Sequence, residues 1–354
     1  MNLQSLGWDS SFADAFEPHA REGLIAGRVA TQHRGVYEIF TEFGSMSAQS
    51  AGALVHTAAP GALPAVGDWV ALHVSDAGPA LVRAVLPRRT EFVRKAATGT
   101  ANRTEHQVLA ANVDTVFLVS SLGRDLNVRR LERYVATAWE SGGAPVIVLT
   151  KLDLVSADEA EVGRAEVEAT AFGVPVHAVS ALTGEGMEAL EAYLAPGRTV
   201  ALLGSSGVGK STLVNRLAGR DLLETSEIRS DGRGRHTTTH RELVPLPGGA
   251  LLLDTPGLRE LQLWEADEGL DRTFEDVAAL AATCRFNDCG HGTEPGCAVR
   301  AALADGSLAA DRWESYLKLE RELRALAVRQ DARLASDERK KRRAFARSLR
   351  NTAY

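Results

Sequence analysis

Hydrophobic and polar positions alternate in two regimes along this chain. Between residues 23 and 112, short apolar-rich stretches at 28–31, 36–40, 68–73 and 80–85 are separated by Gly, Pro and Ser. Strands at that spacing predict a small barrel or sandwich. The period changes at Val113. Residues 114–119 and 145–149 are continuous apolar runs, the mark of strands buried on both faces, and residues 128–140 repeat at helical spacing. A helix near 157–171, a strand at 174–179, a helix from Gly186 and strands at 199–203 and 250–253 continue the alternation. Such a βαβ series predicts a mostly parallel sheet. Beyond about Leu270 the pattern is helical, interrupted by a cysteine-rich loop and ending in basic residues. The shifts divide the chain into 1–111, a small β-barrel or sandwich, 112–270, an α/β domain, and 271–354, a helical domain with a basic tail.

Composition narrows the setting without naming a function. The chain has 354 residues, 45% hydrophobic and 24% charged, enough for several domains with sizeable cores. No apolar run approaches the ~18 residues a membrane helix needs, so no membrane association is expected. The N-terminal residues lack the basic-then-apolar order of a secretory leader. Three cysteines exclude a disulfide scaffold and suit a reducing cytoplasm. The net charge of −6 argues against an evenly basic protein, yet the positive residues are clustered.

The first chemical signal is a phosphate loop. Gly204, Ser205, Ser206, Gly207, Val208, Gly209, Lys210 and Ser211 fit GxxxxGK[ST], entered by the strand at 199–203 and left by a helical segment from Thr212. Glycines let the backbone curl so that N–H groups and the helix N-terminus face phosphate oxygens. Lys210 is expected at the β- and γ-phosphates and the Ser211 hydroxyl on Mg²⁺. Asp254-Thr255-Pro256-Gly257 follows another strand end; Asp254 suits a water-mediated hold on Mg²⁺, and the Gly257 N–H can meet the γ-phosphate.

Base selection has its own pair of motifs. Thr150-Lys151-Leu152-Asp153 ends the strand at 145–149. The Asp153 carboxylate can accept from guanine N1–H and its amino group, whereas adenine would leave it unpaired. Lys151 would lie along the base, and Ser180, Ala181 and Leu182, after the next strand, would contact guanine O6. These parts resemble the motifs of GTPases in a circularly permuted order, with the guanine pair before the phosphate loop. One consequence is mechanical: the loop after Asp254 leads directly into the C-terminal domain, so loss of the γ-phosphate can move it.

Between the phosphate loop and Asp254 lies a Gly- and Arg-rich stretch with His236, Thr237, Thr238 and Thr239. One Thr can complete the Mg²⁺ shell, and Thr238 is taken as that residue. Leu258 stands where many GTPases place the glutamine that orients water. His236 is assigned that task; an exposed loop histidine without a role is the competing reading.

All three cysteines fall between 284 and 297. Cys284, Cys289, His291 and Cys297 form a Cys₃His set suited to one tetrahedral, structural Zn²⁺ with no open position. Residues 339–350 carry seven positive and no negative charges, which suits a phosphate backbone. Arg88, Arg89, Arg94, Lys95 and Arg103 add a second basic set beside the barrel. Its aromatics, Tyr37, Phe40, Trp69 and Phe92, read as core rather than as a stacking platform.

Taken together, the chain resembles the ribosome-small-subunit-dependent GTPase A (RsgA/YjeQ) family over nearly its full length. The resemblance rests on Val66-Gly67-Asp68-Trp69-Val70, Arg88-Arg89-Thr90, residues 107–114, TKLD, the phosphate loop, GRHTTT at 234–239, DTPG and residues 284–299. It implies an N-terminal OB-fold, a permuted P-loop GTPase and a zinc-binding helical domain. It further implies a cytoplasmic, monomeric factor in late small-subunit maturation that binds rRNA, takes GTP and GDP, and is stimulated by the subunit. Thr150 departs from the Asn of the usual NKxD, which removes an amide that braces the phosphate loop. Two rival readings remain: a metabolic P-loop kinase, and a nucleotide-gated RNA-binding protein with negligible catalysis.

Overall fold

In the computed structural model, which describes residues 2–59, 61–75, 78–97, 104–222, 241–254 and 267–330, the N-terminal region closes on itself as a five-stranded barrel. Strand β1 (Ile25–His33) pairs with β2 (Val36–Thr41) on one side and β4 (Trp69–His73) on the other. From β2 the ring runs through β3 (Gly44–Ser50) to β5 (Ala80–Val85), parallel at that step, and β5 returns antiparallel to β4. Closure requires β1 to bend. A register shift between Val29 and Thr31 supplies the bulge, and a Cβ on Gly27 would lie 2.4 Å from Ile39 Cγ2. Val29, Tyr37, Ile39, Val70, Leu72 and Val82 fill the interior. Sequence patterning finds four of these strands and misses β3, whose only buried residue is Ala48.

A helix absent from the sequence reading, α1 (Ser10–Arg21), precedes the barrel. Asp9 caps it by accepting from the Ser11 and Phe12 amides. Phe12 and Trp8 then cover Trp69, at ring centroid distances of 5.8 and 4.7 Å. After β3 comes the short α2 (Gly52–Thr57), and beyond the barrel a hairpin of β6 (Glu91–Ala97) and β7 (Thr104–Ala111) leads to the second sheet.

That sheet is built from the apolar runs. It comprises β8 (Thr115–Ser121), β9 (Ala144–Thr150), β10 (Val176–Ala178), β11 (Thr199–Leu203), β12 (Glu242–Pro245) and β13 (Leu251–Asp254), in the order β10-β9-β8-β11-β13-β12. All neighbours are parallel except β12 and β13. Every residue of β8 and β11 is buried, as strands sandwiched between layers must be. The crossover helices are α3 (Val128–Glu140), α4 (Ala157–Glu168) and α5 (Lys210–Ala218). Asn127 caps α3, and a reciprocal box of Ser156 and Glu159 caps α4. The helix expected from Gly186 is a 3₁₀ segment, Met187–Tyr193. Strand β12 meets barrel strand β1 at Thr31↔Glu242, so barrel and sheet are joined by backbone pairing.

The chain forms two compact units, Met1–Gln262 and Leu263–Tyr354. In the second, the described helices are α6 (Asp267–Thr273), α7 (Glu275–Ala282), α8 (Ala298–Asp305) and α9 (Ala310–Gln330). Buried Arg312 of α9 holds Asp276 of α7 through two hydrogen bonds and lies 4.2 Å from the Phe274 ring centroid. Among the described residues, no helix is long and apolar enough to cross a membrane.

Candidate nucleotide-binding site and metal centre

The phosphate loop leaves the carboxyl end of β11, the central position where parallel sheets place ligands. Gly204 passes so close to β8 that a Cβ there would meet the Val119 carbonyl oxygen at 2.4 Å. Gly207 and Gly209 hold φ of 80° and 90°, a left-handed conformation that a side chain would strain, and α5 begins directly after them. Val208 is buried and anchors the loop to the sheet, while Ser206 and Gly207 are exposed. The Lys210 ammonium donates to the carbonyls of Gly204, at 2.8 Å, and Ser205. Ser211 and Thr212 occupy the first turn of α5, at the positive end of its dipole.

Two loops flank this cradle. Thr150 ends β9, and its hydroxyl lies 2.5 Å from the Val208 carbonyl and 3.2 Å from that of Ser120. A hydroxyl carries one proton, so the closer Val208 oxygen takes it. The loss of bracing expected from Thr in place of Asn does not occur: a shorter side chain reaches the same loop because β9 ends beside Val208. Lys151 follows in a left-handed conformation, φ 63°, which turns the chain sharply into Leu152–Leu154. The Ser180 hydroxyl donates to Asp153 Oδ1 at 2.5 Å and itself accepts the Thr183 amide at 3.1 Å. The two motifs paired in the sequence reading are thereby joined in one hydrogen-bonded unit. Leu182 is 73% exposed.

Asp254 is the last residue of β13, two strands from β8 and adjacent to β11. Its side chain, together with Gly257, His236 and Thr238, lies outside the described residues, as do the basic residues 339–350. In the basic set beside the barrel, Arg88 and Arg89 are committed elsewhere, while Arg103 and the Lys95 side chain lie outside the described residues. Arg88 grips buried Asp68 through two hydrogen bonds of 2.8 Å and also donates to the carbonyls of Gly61 and Leu63. Arg89 pairs with Asp9 and lies 4.1 Å from the Phe12 ring centroid. Those two arginines hold the barrel and α1 together and do not present free charge to a polyanion. Tyr37, Trp69 and Phe92 are buried, and Phe40 packs against the core.

In the second unit, Cys284, Cys289, His291 and Cys297 bring one donor atom each to within 4.8 Å of one another. His291 Nδ1 lies 3.6 Å from Cys284 Sγ and 3.5 Å from Cys297 Sγ, and those two sulfurs are 3.9 Å apart. Metal–sulfur and metal–nitrogen bonds of about 2.3 and 2.05 Å in tetrahedral array give separations of about 3.8 and 3.6 Å, so the donors fit a zinc-type ion. The supporting shell is also in place. The Arg300 amide donates to Cys297 Sγ, and Glu294 draws the loop in by accepting from the Gly290 and Gly292 amides. His291 stands edge-on to Trp313, ring centroids 5.7 Å apart.

A phosphate loop after the central strand, with the guanine-type carboxylate on a strand earlier in the chain, defines a circularly permuted P-loop GTPase. The family model described as RsgA GTPase matches residues 85–264. The "Small ribosomal subunit biogenesis GTPase RsgA" of Opitutus terrae is 54% identical over 351 residues, covering 96% of this chain and 94% of that protein. A crystal structure of YjeQ from Thermotoga maritima superposes with a TM-score of 0.64 at 28% identity, over 85% of this chain and 98% of that one. YloQ, described as a circularly permuted GTPase, shares the fold with a TM-score of 0.62 at 23% identity, over 85% of this chain and 96% of that one. This chain belongs to the RsgA GTPase family and is a GTP hydrolase.

The sequence reading missed three residues that tie the site to its surroundings. Arg28, on β1, is buried and reaches Thr199 at the start of β11. Asn112 adopts φ 56° and accepts the Arg89 amide through its side chain. Arg130, on α3, donates to Ser205 in the phosphate loop. Pattern signals for them are weak: an arginine within a strand stretch and one of two adjacent arginines on a helix.

Proposed function

We propose that this protein hydrolyses GTP while docked on the small ribosomal subunit and leaves after hydrolysis, as a late maturation factor. The observation that carries the reading is the permuted site in one chain with a Cys₃His unit, in a family whose relatives are named for small-subunit biogenesis. In this reading 1–111 and the basic tail contact rRNA, 112–270 turns over GTP, and 271–354 is shaped by a single structural Zn²⁺ on Cys284, Cys289, His291 and Cys297. The protein acts as a cytoplasmic monomer.

The residues divide the work by chemistry. Asp153, oriented by Ser180, accepts from guanine N1–H and the amino group, and Lys151 and Leu182 line the base. The Gly204–Ser211 amides and Lys210 hold the phosphates, with Thr212 at the helix end. When bound, Mg²⁺ would supply positive charge against the charge developing on the phosphate oxygens. Ser211, Thr238 and Asp254 would hold it. His236 positions the attacking water in the subunit-bound state, Gly257 senses the γ-phosphate, and its loss is relayed toward the zinc-binding unit. No covalent intermediate is needed. The kinase and the catalysis-free alternatives gain nothing from relatives named as GTPases.

The test is steady-state GTP and ATP hydrolysis with and without purified small or large subunits. Slow, GTP-selective turnover that rises at least tenfold with small subunits alone is the expected result. Turnover indifferent to ribosomal particles would keep the GTPase and remove the assembly role.

A further inference from the structure

Ser205 is a junction in the phosphate loop. Its backbone carbonyl accepts from the Lys210 ammonium, and its hydroxyl accepts from Arg130 Nη1 at 2.9 Å. The loop around it is intrinsically soft, with Gly204 before it and Ser206 and Gly207 after it, both exposed. Besides the Lys210 bonds and buried Val208, partners outside the loop help fix its position. Thr150 provides one at Val208. Arg130 provides the other, at the opposite end of the loop.

Arg130 is itself well placed for that task. It sits in the first turn of α3, where its amide is held by the Asn127 cap at 2.9 Å, so the guanidinium projects from a fixed backbone. The adjacent Arg129 is committed to Glu132 at 2.7 Å. Among the described residues Arg130 has no carboxylate partner, and its side chain is spent on Ser205 alone. A charged donor on a neutral hydroxyl makes a stronger bond than a neutral pair would.

We propose that Arg130 is a positioning residue for Lys210, acting through Ser205. By fixing Ser205 it fixes the carbonyl that orients the ammonium toward the phosphates. It also leaves an unneutralised positive charge beside a site for a polyanion. The inference rests on the assignment of Lys210 to the phosphates.

The experiment compares GDP affinity and GTP kcat/KM of the full chain for R130A, R130K, S205A, the double variant R130A/S205A, and K210A, with melting temperature measured on each. R130A and S205A should each weaken GDP binding by roughly three- to tenfold. The double variant should be no more than about twofold weaker than the worse single one, because both cut the same link. R130K should recover part of the loss, with melting temperatures unchanged and GTP still preferred over ATP. R130A binding GDP like the parent while K210A fails would overturn the positioning role and leave the Lys210 reading standing. Losses from R130A and S205A that multiply would overturn the route through Ser205. K210A binding GDP like the parent would overturn both.

Discussion

The Thr150 hydroxyl links two recognition events with one hydrogen bond. It closes the strand that presents Asp153 and donates to a phosphate-loop carbonyl 58 residues away. It is buried, so no water replaces it when it is lost. Thr150→Val keeps the shape and leaves the Val208 carbonyl unpaired; GDP affinity measured by titration should fall about tenfold, equivalent to about 1.4 kcal/mol. Unchanged affinity would mean that β9 and the loop are held by packing alone. The same bond corrects an expectation drawn from residue type. Asn and Thr differ in reach, and reach matters only relative to where the backbone ends. That distance is not written in four letters, whereas the presence of Asp153 and its Ser180 partner one strand later is.

At the scale of elements, the described loop from Cys284 to Cys297 has no helix or strand and gathers four candidate metal ligands. Gly296 at φ 78° and His291 at φ 55° make its left-handed turns, Glu294 gathers two amides, and Cys297 begins α8 by accepting the Arg300 amide. A short loop of this kind has little apolar surface to bury, so a bound ion would supply its order. Elemental analysis should find one zinc per chain, and Cys297→Ser should remove it and render residues 263–354 sensitive to limited proteolysis. Zinc retained at full occupancy in that variant would exclude Cys297 as a ligand. Elements with strong periodicity, such as Val128–Glu140 and Thr199–Leu203, are found where patterning puts them. Those that escape it include β3, β12 and α1, besides β6, β7 and α2. The first two are short or polar, and α1 owes its place to the rings of Trp8 and Phe12 resting on Trp69.

Across the first unit, one side chain joins the barrel to the strand that feeds the phosphate loop. The Arg28 guanidinium donates to the carbonyls of Leu6, Gly67 and Asn112 and to the Thr199 hydroxyl. Burial lowers its pKa to about 10, with Asp114 and Asp68 pulling it back up, so it stays cationic at neutral pH. Gly67 can contribute only because it lacks a side chain; a Cβ there would meet the Ala111 carbonyl oxygen at 2.1 Å. Arg28→Met removes the donors to the buried Leu6 and Asn112 carbonyls and the Thr199 hydroxyl, while the Gly67 carbonyl keeps the Asn112 side-chain amide. Denaturant unfolding of the full chain should show a loss of about 3 kcal/mol or more. A loss below about 1 kcal/mol would mean that β1–β12 pairing and apolar contacts carry the joint. Barrel and sheet, 171 residues apart in this contact, thus share a fixed orientation within the unit.

What the sequence determined by itself is local and repetitive. Phosphate loop, TKLD, DTPG and the Cys₃His spacing each act within a few residues of backbone, and buried strands announce themselves by uninterrupted apolar runs. Those signals suffice for the class of site and the permuted order. Only the tertiary structure decided which charges are spent on the fold. Arg88 and Arg89 look like Arg130 as letters, yet the first two lock the barrel and α1, and the third touches the loop that holds phosphate. The reason is physical: a guanidinium takes its role from acceptors tens of residues away, and the chain must fold before those acceptors exist as a set.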